Sequence, residues 1–265
     1  MIKALRILLF LGLIIIDLLI LRVILTYSPS LTDILSSNGF LLLLVSELVL
    51  IFPSLPLYML ITRQKINNIL PLKPLGWKNA GYILLMSVLL EPVTSLLSLL
   101  TSLFFPNAAL EITSMFTSNN LLAAITAVAL LPALVEEICF RGVVLNASRG
   151  MNVMGAAVIN GILFGLIHMN PQQIPYALFL GIIFSLYVIH THSIFSSMLA
   201  HFLVNAPNVA LALLLPGITA EAPTVDELIP PIIVLSVISS IFFLIFLSVY
   251  KRFRLYNLYR NPING

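Results

Sequence analysis

Three short segments hold most of the residues that could do chemistry. The first is Leu134-Val135-Glu136-Glu137-Ile138-Cys139-Phe140-Arg141, where two adjacent carboxylates sit in an apolar run. Glu137 and Arg141 are four apart with the acid first, the favoured order for a helical ion pair. Glu136 then points about 100° away around the helix, with no local cation. A sheltered carboxylate left without a counter-charge is a candidate general base. The second segment ends Phe164-Gly165-Leu166-Ile167-His168, with Phe164 and His168 on one face and Asn160 a turn earlier. The third is His201-Phe202-Leu203-Val204-Asn205, where an imidazole and an amide share a face. Together they supply a base, two imidazoles and an amide donor for an oxyanion, a set that suits cleavage of an amide by water. The competing reading of the first segment is a salt-bridge cluster that only holds helices together.

Other chemistries lack their residues. There is no Gly-x-Ser-x-Gly elbow, no His-Glu-x-x-His helix and no phosphate-binding glycine loop. His190 and His192 are expected in a turn between helices. Asp17, Arg22, Glu47 and Glu91 are expected to be internal pairs or charges that reach the membrane interface.

The elements that must position these groups are membrane helices. Of 265 residues, 60% are hydrophobic and 9% charged, against about a quarter charged in a soluble domain. That composition excludes a soluble enzyme and a disordered chain. A net charge of +3 is too small and scattered for nucleic acid binding. Cys139, the one cysteine, can form no internal disulfide.

The expected fold class is all-α, a polytopic bundle of about eight transmembrane helices forming one integral membrane domain over 1–265. The spans fall near 7–27, 41–62, 80–105, 121–147, 153–168, 174–189, 194–215 and 229–250. The first run is longer than a signal-peptide core and has no small-x-small site after it, so it reads as an anchor. Twelve of the thirteen basic residues fall on one face of such a bundle, Arg22 being the exception. The positive-inside rule makes that face, and both termini, cytoplasmic. One tension is geometric. Glu136 lies 13 residues before Arg149 and His168 lies 19 after it, a depth mismatch of ~9 Å for straight helices. Tilt, a kink at Pro132 or an extension of the fourth span would have to absorb it.

The string Glu136-Glu137-Ile138-Cys139-Phe140-Arg141-Gly142 resembles the Glu-Glu-x-x-x-Arg motif of the CPBP intramembrane proteases. This family includes the type II CAAX prenyl endopeptidases and the bacteriocin-processing or immunity proteins, also called Abi. Phe164 to His168 resembles its Phe-x-x-x-His motif. Thr191-His192-Ser193-Ile194-Phe195 and His201 to Asn205 resemble its third region, except that His192 stands where a glycine is common. The likeness runs over about 130–207, with a catalytic core near 121–215.

The resemblance implies an intramembrane endopeptidase whose chamber opens to the cytoplasm. Glu136 and His168 would activate water, His201 and Asn205 would hold the oxyanion, and Glu137 and Arg141 would support them. The family is also described as metal-dependent, and a zinc-like ion would then involve Glu136, His168 and His201. The implied partners are the bilayer and a membrane-associated peptide or protein, such as a pheromone, a bacteriocin precursor or an anchored surface protein, in a prokaryotic cell membrane. Two other functions use similar residues: a non-catalytic scaffold or immunity protein of the same fold, and a proton-coupled transporter.

Overall fold

A computed structural model describes residues 3–117, 120–215 and 225–260. Among them seven helices are long and apolar enough to cross a membrane. They are α1 (Lys3–Tyr27), α2 (Gly39–Thr62), α3 (Trp77–Ser102), α4 (Leu121–Ala147), α6 (Ile174–Thr191), α7 (Phe195–Leu214) and α8, which runs Val225–Arg260 with its apolar span at Ile229–Tyr259. The eighth expected span, α5 (Val153–Ile167), is a shorter apolar helix of 15 residues. At 1.5 Å per residue it covers ~22 Å, less than the ~30 Å bilayer core.

The short α5 packs along α6 as a tight hairpin, and α3 packs on α7 and α8. Glycine makes the hairpin. Gly161 and Gly165 are four apart on α5 and Gly181 faces them from α6. A Cβ on Gly161 would stand 2.8 Å from the Leu178 carbonyl oxygen, and one on Gly181 would stand 2.7 Å from the Cα of Gly161. Small residues at this spacing let two backbones touch, which is how helices adhere where lipid removes the hydrophobic drive.

Proline and wide turns break the regularity where the buried charges lie. α2 is interrupted at Phe52 and Pro53, and the freed backbone of Ser54 hydrogen-bonds the buried Asp17 of α1. α4 contains two π-helical stretches, Thr126–Leu130 and Ile138–Val144, on either side of Leu131–Glu137. Such turns are rare and often mark functional sites.

The two ends of the bundle differ. At one end Asn146 donates to the Asn68 and Ile69 carbonyls, the Ile194 amide donates to Pro71, and Asn79 pairs with Asn257. This end gathers the basic residues of the termini of α1 and α8 and of the connectors after α2 and α4. At the other end Thr101 donates to the Gln172 carbonyl, and Gln172 donates to Ser98.

The turn after α6 differs from the expectation. His190 is inside the helix, 4% exposed, with Nε2 3.0 Å from the Tyr250 hydroxyl. It is a packed helix residue and not a loop residue, because α6 continues to Thr191. His192 caps the helix with φ 54° and ψ 31°, the left-handed region that favours glycine. This accounts for the glycine common there in the resembled family.

Candidate active site

The two adjacent glutamates of α4 do face different surroundings. Glu137 is fully buried. Its Oε1 accepts from Arg141 Nη1 at 2.9 Å and from His201 Nδ1 at 2.9 Å. Arg141 is equally buried. It also donates to the Gly181 carbonyl at 3.3 Å and lies 4.3 Å from the ring centre of Phe164. A buried ion pair holds only when such extra contacts complete its hydrogen bonds. The wide turn at Ile138–Val144 contributes as well. The Phe140 carbonyl inside it accepts from the side-chain amide of Asn160 of α5 at 2.7 Å, and Oδ1 of Asn160 accepts from the Ser185 hydroxyl of α6 at 3.0 Å. One amide thus ties α4, α5 and α6 together behind the charges.

Glu136 turns the other way. It lines a cavity of about 600 Å³, and its Oε2 is buried without a hydrogen-bond partner among the described residues. His201 Nε2 stands 3.9 Å from that oxygen, beyond a direct hydrogen bond and within reach of one bridging water. His201 is therefore oriented from behind. Glu137, paired with Arg141, accepts, so Nδ1 of His201 carries the hydrogen and Nε2 faces Glu136. The ring packs against Phe164 and Phe184, with centroids 5.9 and 5.7 Å away.

His168 lines the same cavity from the C-terminal cap of α5. Its Nδ1 is 2.8 Å from the Phe164 carbonyl. A carbonyl only accepts, so that nitrogen is the donor and Nε2 is the basic one. Phe164 touches both imidazoles, 5.1 Å from His168 between ring centres. Met169, just after His168, has φ 48° and turns the chain away there.

Asn205, one turn past His201 on α7, also lines the cavity. It donates to the Val128 carbonyl at 3.3 Å. Val128 lies four residues before Pro132, whose nitrogen has no hydrogen to offer back along the helix. The proline thus leaves an acceptor that fixes Asn205 and one spare amide hydrogen.

The expected site residues therefore divide. Glu136, His168, His201 and Asn205 meet at the cavity, while Glu137 and Arg141 lie behind its wall. Glu136 and His168 line one cavity, although a straight-helix count sets them at different depths. The metal set fits less well. Two imidazoles and a carboxylate suit zinc, and a ring N–H held by a carboxylate or a backbone carbonyl, as on both imidazoles here, is the usual support of a ligating histidine. Yet among the described residues no three acidic, imidazole or thiol groups converge to hold an ion.

One cavity residue was not expected to be functional. Glu47 of α2 lines the cavity, and its Oε2 is buried without a hydrogen-bond partner among the described residues. The sequence suggested an internal pair or an interfacial charge; here it faces the cavity that holds Glu136. Its apolar neighbours and its distance in sequence from the motifs left no signal beyond its being a charge within a span. Glu91 accepts from Asn208 at 3.3 Å.

The position of the cavity sets two expectations against each other. It extends from Glu136 and His201 past Ser98 and Ser102 to Asn107 and Thr113, the end away from the basic residues. Opposite, Leu70, Val144, Tyr187, Ile194 and Phe253 are all buried. A chamber open to the cytoplasm is thus at odds with a cytoplasmic basic face. The resemblance and the charge pattern cannot both set the orientation.

No curated protein and no solved structure matches the chain. Residues 118–207, which contain all three motifs, match the model of the family described as Type II CAAX prenyl endopeptidase Rce1-like, in agreement with the resemblance read from those motifs.

Proposed function

We propose that the chain is an intramembrane endopeptidase of the CAAX-protease type, cutting a membrane-associated peptide or protein with a water activated by Glu136. One observation carries this reading. An unpartnered carboxylate oxygen stands in a cavity, 3.9 Å from an imidazole that a second, ion-paired carboxylate orients. A structural salt-bridge cluster accounts for Glu137 and Arg141. It does not account for Glu136.

The steps follow from the groups present. Glu136 takes a proton from water as its oxygen attacks the peptide carbonyl carbon, with Nε2 of His168 as the second acceptor in the chamber. Negative charge moves to the carbonyl oxygen, which the spare N–H of Asn205 and Nε2–H of His201 would hold. To donate there His201 must carry both protons, with Glu137 and Glu136 facing its two nitrogens. The C–N bond then breaks and Glu136 returns the proton to the leaving amine.

The test is Glu136→Gln, which keeps the shape and removes the base. With thermal unfolding unchanged, cleavage is expected to fall about 10²- to 10⁴-fold, the usual worth of a positioned base. Comparison of membrane peptides from cells carrying wild type and variant supplies the readout without a known substrate. Unchanged products in the variant would sink the reading.

A further inference from the structure

We infer that the chamber is entered from the extracytoplasmic face, and that its substrate is a peptide segment presented there, such as the outward end of a membrane-anchored protein. The substrate class rests on the peptidase reading; the side of entry does not.

Two independent features carry this. The first is where the cavity runs. On every helix that lines it, the lining residues lie toward the same end of the bundle. Leu43 and Glu47 are near the start of α2, and Ser98 and Ser102 are at the end of α3. His168 closes α5, and Leu211 is near the end of α7. The short helix Ala108–Thr113 contributes Leu110, Ile112 and Thr113 to the wall at that end. At the other end the Glu137–Arg141 pair is 0–1% exposed beneath Leu70, Tyr187 and Phe253, all buried. The segment holding Pro71 and Leu72 is clasped to Ser193 and Ile194 by an isolated β-bridge and a backbone hydrogen bond of 2.8 Å. The route to Glu136 is closed on that side.

The second feature is charge. The closed end holds Lys3, Arg63, Lys65, Lys78, Arg149 and Lys251, and the open end holds Asp33 and Glu111, with Arg22 the basic exception toward it. Basic connectors stay in the cytoplasm because moving them across the membrane is costly. The closed end is therefore inside and the open end outside. A volume of about 600 Å³ takes a short stretch of chain and not a folded domain. Hydroxyls at Thr94, Ser98 and Ser102 recur at helical spacing along its α3 wall; those of Thr94 and Ser102 donate to carbonyls of their own helix and so offer the cavity oxygen acceptors.

The test uses single cysteines in the full chain, after Cys139→Ala removes the buried native thiol. Glu111→Cys and Asn107→Cys mark the mouth, Ser98→Cys the chamber and Arg149→Cys the closed end. A charged methanethiosulfonate that cannot cross membranes is applied to intact cells, then to permeabilised ones. The mouth and chamber cysteines are expected to react in intact cells, and Arg149→Cys only after permeabilisation. Reaction of Arg149→Cys in intact cells overturns the inference. So does a Ser98→Cys that stays unreactive, or reacts only once the cytoplasm is opened. For the substrate, peptides absent from the medium of Glu136→Gln cells but present with wild type are expected. Glu136-dependent products confined to the cytosol overturn the substrate class. The outward labelling pattern with no Glu136-dependent product anywhere would defeat the peptidase reading and leave the side of entry standing.

Discussion

Two carboxylates one residue apart can do opposite work because a helix turns about 100° per residue. Glu137 is spent on Arg141 and His201, while Glu136 keeps an oxygen for the cavity. Their mutants should differ accordingly. Arg141→Met leaves Glu137 buried without its cation and is expected to destabilise the fold by about 3–5 kcal/mol, read as a lower unfolding temperature in detergent. Glu136→Gln should leave that temperature unchanged. His192 offers a third test. It holds a left-handed φ, which costs an L-residue about 1–2 kcal/mol. Burial, Lys73 and Arg149 also hold its imidazole below the usual histidine range. The unfolded chain therefore binds this proton more readily, and stability is lost as pH falls through the ordinary histidine value of 6.5. His192→Gly should raise the unfolding temperature, by more at pH 5.5 than at 7.5. The motif residues were legible because helical spacing reports a shared face. Glu47 was not, since nothing local links it to a site built 89 residues on.

At the scale of the element, the eight helices were legible from apolar runs, and their irregularities were not. Neither wide turn of α4 has a sequence rule, yet one frees the carbonyl that holds Asn160 and the other precedes Pro132. The end of α6 was misjudged for a related reason, because polar His190 resembles a boundary when its partner Tyr250 lies sixty residues away. The Gly161–Gly165 face makes a prediction here. Gly161→Val drives side-chain carbon against the Leu178 carbonyl and the Ile182 amide, backbone atoms that cannot yield. Overpacking of this kind costs about 1–3 kcal/mol. Activity is expected to fall further than stability, because α5 carries His168; parallel activity and unfolding measurements will separate the two.

At the scale of the molecule, composition put the chain in a membrane, and the all-helical architecture agrees. The side on which the chamber opens could not be read from sequence. It depends on which ends of eight helices line a cavity, and the resemblance pointed the other way. Charge asymmetry predicts the orientation directly. A fluorescent protein that matures only in the cytoplasm should be bright when fused after Gly265, and an alkaline phosphatase at the same place should be inactive. The reverse pair would invert the topology.

The sealed basic end has a consequence beyond catalysis. A peptide-sized wet chamber cut into a membrane is halfway to a pore. Here the remaining half is stoppered by a neutralised guanidinium wedged between two aromatic rings, over a layer of buried side chains. Protons that reach the chamber would meet that buried layer on the inward side. Such a protein is expected to sit in a membrane without dissipating ion gradients, and weakening the stopper should show first as leakage and only later as lost cleavage.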